Sequence, residues 1–341
     1  MKHTASLLML VGSVFPVSLT HATTTSTYQY CSYSDGLSSC RDGNTEHVSS
    51  KYAQTKYPIV LAHGLSGWSS IGGFEYFYGI SSDLTENGAQ VFDTQVAAAE
   101  SSYVRGEQLL NQIQEILAIT GSKRVNLVGH SQGVLDGRYV AAVIPNQVAS
   151  LTGVAGVNLG SPVADRVLDV MDAPVIGGFT KPIIGGVLNT FFSLIGISSG
   201  QAYSQSSYAA VKQLSTAGMT AYNKNFPQGM STSKCGEGDQ QVKSPDGTST
   251  TNYYSWGGTG IITNPLDVLS YAFLVTSPLI SGSSDGLVPR CSSHLGKVIR
   301  DNYNQNHMNE VNQIMGMVDV FSVSPVVLYR QQANRLKLAG M

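Results

Sequence analysis

The stretch Arg124-Val125-Asn126-Leu127-Val128-Gly129-His130-Ser131-Gln132-Gly133 decides the fold. A β-branched, apolar run leads into Gly-x-Ser-x-Gly, the pattern of a sharp strand-to-helix turn that exposes a serine while small neighbours let the backbones pass. The bare pattern carries little weight in this chain. With 36 glycines and 42 serines in 341 residues, about half a match is expected by chance. Two others do occur, at 196–200 and 282–286. Context selects Ser131, because only this serine follows a credible strand and opens a helix-like stretch at 133–143.

Working outward, 58–62 reads as a buried strand, 89–96 as a strand, 103–120 as a helix and 125–128 as a strand. The helix has Leu109, Leu110, Ile113, Ile116 and Leu117 at helical spacing, Ser101 or Ser102 to cap its start and Gly121 to close it. The helix after Ser131 must stop before Pro145, and 151–159 resumes as a strand. Strands alternating with helices imply an α/β fold with a mostly parallel central sheet flanked by helices.

Charged residues make up 12% of the chain where about 25% is usual, and 20 Lys plus Arg stand against 22 Asp plus Glu. No basic run exceeds two residues, so the electrostatic footprint of a nucleic-acid binder is missing and nucleic acid is excluded as a partner. Residues 1–22 read as a signal peptide: Lys2 precedes an apolar stretch at 5–19, with Thr20 and Ala22 placed for cleavage after Ala22. Export into an oxidising compartment follows, and four cysteines in an exported chain favour two disulfides. Residues 23–50 read as an irregular N-terminal arm in which Cys31 and Cys40 can close a small loop, with the main domain at 51–341. Between 173 and 200 the only charge is Lys181, and the segment is apolar nearly all round. Its lysine, proline and glycines argue for a protein-buried or conditionally exposed helix pair over a membrane span.

A serine at neutral pH needs a base, and around such an elbow the partners follow in the order Ser, Asp or Glu, His. Only His294 and His307 lie downstream, which removes His47, His63 and His130 as bases. His294, beside Cys291, reads as structural, whereas His307 sits in a polar loop that can present an imidazole at a sheet edge. Asp285, in a Ser-Ser-Asp-Gly turn after an apolar segment at 271–280, is the preferred orienting carboxylate over Asp267 and Asp301. The oxyanion formed on ester attack needs two N–H donors. Gln132, directly after the nucleophile, supplies one, and Leu65, in the loop after the first buried strand, supplies the other.

These residues, with Tyr57-Pro58-Ile59-Val60-Leu61-Ala62-His63-Gly64, Asp285-Gly286-Leu287-Val288 and Cys291-Ser292-Ser293-His294-Leu295-Gly296, resemble the secreted triacylglycerol lipases of Pseudomonas and Burkholderia type. Further similar stretches are 104–110, 138–143 and 330–337, so the resemblance runs from about 51 to 341 and leaves out the arm. It implies an α/β-hydrolase fold with a helical lid, for which 173–200 is the matching region, and the triad Ser131, Asp285 and His307 with oxyanion donors Leu65 and Gln132. It also implies a Cys235–Cys291 disulfide. A structural calcium is implied at Asp267, Asn309, Gln313 and the carbonyl of Met317. Asn309 departs from the family's aspartate, which removes one of two charges facing a hard cation and should weaken the site. Val134 stands where a third glycine is usual, and Asp136 adds a charge behind the nucleophile.

The expected activity is hydrolysis of long-chain acylglycerols at an oil–water interface through an acyl-serine intermediate, with lid opening at the lipid surface. The resemblance adds a periplasmic lipase-specific foldase as partner before secretion. A carboxylesterase of shorter soluble esters shares the chemistry and differs in acyl pocket. A non-catalytic lipid-binding protein on a hydrolase scaffold fits the apolar segment but leaves Ser131, Asp285 and His307 without a purpose.

Overall fold

The structure, a computed structural model, describes residues 24–34, 37–71, 73–173 and 206–341. The signal-peptide residues 1–22 and nearly all of the lid region at 173–200 lie outside the described residues.

The central sheet is built from β1 (Thr25–Ser34), β2 (Leu37–His47), β3 (Ile59–Ala62), β6 (Val91–Gln95), β7 (Val125–His130), β8 (Val148–Val154), β9 (Gln241–Lys243), β10 (Thr250–Gly258) and β11 (Lys297–Tyr303). Its order is β11-β10-β8-β7-β3-β6-β1-β2, with β9 antiparallel to β10. Pairings from β11 through to β1 are parallel. A small hairpin, β4 (Ser70–Ile71) with β5 (Phe74–Glu75), stands apart. Every residue of β3, β6, β7 and β8 is buried, as expected of parallel strands covered on both faces.

The alternation of side chains sorts the two layers. Ile59 and Leu61 of β3 face a cluster containing Ile80 and Leu84 of α1 (Ile80–Glu86) and Leu328 and Ala333 of α8 (Pro325–Leu338). Val60 and Ala62 face the opposite cluster, with Leu109, Ile113 and Ile116 of α2 (Ser102–Thr120) and Val134 and Val140 of α3 (Gln132–Val143). Helix α2 matches its expected extent, from N-cap Ser101 to Gly121, whose φ of 64° is the left-handed C-cap conformation. The strand expected at 151–159 is β8, which begins and ends earlier. Residues past Val154 leave the sheet with Ala155 in a left-handed conformation, φ 48°, and its N–H given to the Trp256 carbonyl. A third cluster joins α4 (Pro162–Asp172), α5 (Ser207–Leu214) and α6 (Thr216–Asn225) over the carboxyl ends of the strands. Helix α7 (Val268–Thr276) follows β10 and overlaps the apolar segment read at 271–280.

The arm is not irregular. Residues of 23–50 form the β1–β2 hairpin, which extends the sheet by parallel pairing of β1 with β6 and places Cys31 opposite Cys40. The two cysteines form a disulfide, and Cys235 pairs with Cys291. Tyrosine and threonine favour strands as strongly as aliphatics do, and β2 needs no aliphatic face because it is an exposed sheet edge. Tyr28 and Tyr30 are buried, and both hydroxyls donate to the Glu75 carboxylate of β5.

Candidate active site

Ser131 sits between the end of β7 and the start of α3 with φ 55° and ψ −121°, a conformation costly for a residue carrying a Cβ. The elbow glycines are dictated by contact. A Cβ on Gly133 would lie 2.2 Å from the Ala62 carbonyl oxygen, and one on Gly129 would lie 2.5 Å from the backbone of Gly133. Val134 finds room because Gly153 and Gly156 face it; a Cβ on either would be 3.0 Å from its Cγ1.

His307 follows the end of β11, on the same sheet edge as Ser131 because the intervening strands are parallel. Its Nε2 lies 2.9 Å from Ser131 Oγ, and its Nδ1 lies 2.7 Å from Asp285 Oδ2. The other carboxylate oxygen of Asp285 accepts the N–H groups of Leu287 at 2.9 Å and Val288 at 2.6 Å. With both of its oxygens engaged, the carboxylate is fixed to take Nδ1–H, which leaves Nε2 to accept the serine proton. The three residues are buried.

The loop after β3 lies directly against this serine: a Cβ on Gly64 would be 2.9 Å from Ser131 Cβ. Neither the Leu65 N–H nor the Gln132 N–H has an acceptor among the described residues. The Gln132 side chain is tied to the Glu100 carbonyl at 2.7 Å, which orients the first turn of α3. Leu65 and Ser131 line one apolar cavity of about 300 Å³ together with Val163, Leu214, Leu287 and Met308.

Several residues that sequence reasoning left without a role hold this geometry. Arg105, fully buried, pairs with Asp136 at 2.8 Å and donates to the carbonyls of Ala97 at 2.6 Å and His63 at 2.7 Å. The charge of Asp136 is thereby accounted for; burial still raises its carboxyl to about 6, with Arg105 opposing the rise. His63, by contrast, is pushed down to about 3 by burial and then by the Arg105 charge. Its Nδ1 donates to the Gly64 carbonyl at 2.8 Å while Nε2 accepts the Val96 N–H at 3.2 Å, a loop-building role. Gly64 N–H donates to the Tyr76 hydroxyl at 3.2 Å, which donates to His130 Nδ1 at 2.7 Å; His130 Nε2–H donates to the His307 carbonyl at 2.9 Å. That chain ties the loop after β3 to the backbone of His307, and burial holds His130 neutral by pulling its pKa well below the usual range. An aromatic–glycine–histidine relay of this kind has no spacing signature. His294 is structural, with Nε2 2.9 Å from Asp301, which also pairs with Arg290 at 2.7 Å.

Two groupings bear on a metal. Donor atoms of His130, His307 and Glu310 lie within 4.8 Å of one another. All four imidazole nitrogens are engaged in the hydrogen bonds just described, so none offers a lone pair to an ion. The residues matched to calcium do converge: Asp267 and the carbonyls of Gln313 and Met317 surround the Asn309 side chain. The atom they surround is the amide nitrogen of Asn309, a donor, whereas calcium takes six to eight oxygens. As they stand these residues do not fit the ion.

Fold and site together define a hydrolase built around a nucleophile elbow, with an imidazole and a carboxylate presented from later loops. The chain belongs to the α/β hydrolase fold family, which matches residues 57–296, and within it to the bacterial triacylglycerol lipases. It is 45% identical over 302 residues to a triacylglycerol lipase of Vibrio cholerae, covering 88% of this chain and 94% of that protein. Against a triacylglycerol lipase of Burkholderia plantarii it is 38% identical over 323 residues, covering 85% of this chain and 88% of the other. A crystal structure of a Bacillus licheniformis lipase in mature form shares the fold at TM-score 0.51 and 19% identity, covering 74% of this chain and 86% of that one.

Proposed function

We propose that this protein is a secreted triacylglycerol lipase that cleaves long-chain acylglycerols at the lipid–water interface through an acyl-serine intermediate. The observation that carries the reading is the Ser131–His307–Asp285 relay, at 2.9 and 2.7 Å, opening onto an apolar cavity. Ser131 Oγ attacks the ester carbonyl while His307 Nε2 takes its proton, and Asp285 stabilises the imidazolium that forms. The N–H groups of Leu65 and Gln132 receive the charge on the tetrahedral oxygen. His307 then gives its proton to the departing glyceride oxygen, and water attacking the acyl-serine repeats the sequence in reverse order. The relatives named as triacylglycerol lipases support the substrate class.

Secretion is supported by the two disulfides, and among the described residues no helix is long and apolar enough to cross a membrane. The foldase and the lid at 173–200 belong to the same proposal and rest on the family resemblance alone. Calcium has no step in this mechanism. The test is triolein hydrolysis by wild type and Ser131→Ala, beside a chain-length series of p-nitrophenyl esters. Ser131→Ala should lower turnover by about 10⁴-fold or more. Unchanged turnover removes Ser131 from the mechanism, and activity confined to short esters makes the enzyme a carboxylesterase.

A further inference from the structure

We infer that the Asn309 amide does the work of a structural cation, so that the loop carrying His307 is fastened without calcium. Asn309 is fully buried, and its Nδ2 lies 3.0 Å from the Gln313 carbonyl, 3.3 Å from Asp267 Oδ2 and 3.4 Å from the Met317 carbonyl. Three acceptors from three separated positions thus share one donor nitrogen. Those distances are hydrogen-bond distances; a calcium ion would hold the same oxygens at about 2.3–2.6 Å and would occupy the space of the amide.

The amide orientation is fixed by what lies on its other side. Its Oδ1 accepts from the Thr263 hydroxyl and lies 3.4 Å from the Asn306 N–H. Turning the amide over would set its oxygen against three acceptors and its N–H₂ against the Asn306 N–H, keeping only the contact with the Thr263 hydroxyl, which can accept as well as donate. Charge leads to the same conclusion. The Asp267 carboxylate accepts from Leu269 N–H at 3.0 Å, Ser270 Oγ at 2.9 Å and Asn306 Nδ2 at 3.0 Å besides Asn309, and it caps the start of α7. One carboxylate with four donors needs no counter-ion, whereas a second carboxylate at 309 would face the first and two carbonyls and would require one.

The network reaches the catalytic histidine through its neighbour. Asn306, directly before His307, bonds both Asp267 and Ser270 at 3.0 Å. Asn309 is therefore a positioning residue that acts through this loop.

The experiment compares full-length wild type with Asn309→Asp after gel filtration in EGTA, reading calcium content by atomic emission, titration with CaCl₂ by calorimetry, and thermal midpoint in EGTA or CaCl₂. Wild type should retain no stoichiometric calcium and shift by less than about 1 °C between the two buffers. Asn309→Asp should lose roughly 5 °C or more in EGTA, regain it with calcium and bind one equivalent. Stoichiometric calcium in wild type, or a chelator-sensitive midpoint, overturns the inference. So does a folded Asn309→Asp that neither loses stability in EGTA nor binds the ion, because the amide would then not be what excludes it. If Asn309→Asp does not fold, the wild-type measurements decide alone.

Discussion

Ser131 and the Leu65 loop are set by close backbone packing braced by the Arg105 side chain, whereas Asp285 and His307 are set mainly by hydrogen bonds their own and neighbouring side chains make. In the strand-borne half, β3 and β7 run side by side, and glycines at 64, 129 and 133 sit where a Cβ would come within 2.9 Å of the neighbouring chain. The loop-borne half has no such register. His307 is set by Asp285, by its carbonyl's bond from His130 and by the network of Asn306, Asp267 and Asn309. The first half tolerates almost no change of shape, and the second depends on which polar atom each side chain presents.

The largest effect should come from Arg105, which bolts the strand-borne half together from below. Arg105→Met leaves Asp136 buried without its partner and the carbonyls of Ala97 and His63 without a donor. Unfolding in urea should show a loss of about 3–5 kcal/mol, with much of it restored by adding Asp136→Leu. A loss under 1 kcal/mol would mean that the glycine contacts suffice alone and that the arginine is incidental.

A smaller and different effect is expected from Asn306→Ala in the loop-borne half. Its Oδ1 accepts the N–H of Met308 at 3.1 Å and of Asn309 at 2.9 Å, and its Nδ2 bonds Asp267 and Ser270. About 2 kcal/mol of stability should be lost, because buried donors go unpaired. The readout that separates the halves is kinetic: kcat should fall about tenfold or more through a misplaced imidazole while KM changes little. Equal loss of stability with unchanged kcat would show that Asp285 and His130 position His307 without the network.

The same division explains what could be read from the chain. Ser131, Asp285 and His307 were legible because chain order and turn chemistry constrain them, and Gly129 and Gly133 because an elbow leaves no other residue room. Asp136 stood out only as an added charge behind the nucleophile and Arg105 was left without a role, since a pair 31 positions apart has no local signature. Asn309 was visible as a departure from aspartate. Which of its two amide atoms faces the cluster depends on Thr263 and Asn306, whose approach only the folded chain reveals. The arm was misread because its strands are written in tyrosine, serine and threonine. Its buried alternation rests on Tyr28 and Tyr30 meeting Glu75, a contact across 45 or more positions.

The effect that is smallest at neutral pH is a pH dependence built into the strand-borne half. Burial holds His63 neutral with a pKa near 3 and holds His130 well below the usual range, while in the unfolded chain both titrate near 6.5. Below about pH 6.5 the unfolded state binds protons that the native state refuses, so stability falls with acidification toward pH 3. Asp136, raised to about 6, and Glu310, raised by burial and by Asp285, act in the opposite sense: the native state takes up their protons first and gains stability as pH falls toward the ordinary carboxylate range. A bulk profile therefore mixes the two, and His63→Gln isolates the histidine contribution. Relative to wild type, the variant's unfolding free energy should fall less steeply between pH 6.5 and pH 4, by roughly 1.4 kcal/mol per pH unit well below 6.5. The difference of slopes, rather than the offset caused by altered packing, is the quantity to measure. Parallel slopes would mean that His63 takes up its proton while still folded, which its bonds to the Gly64 carbonyl and the Val96 N–H do not allow without giving up one of the two.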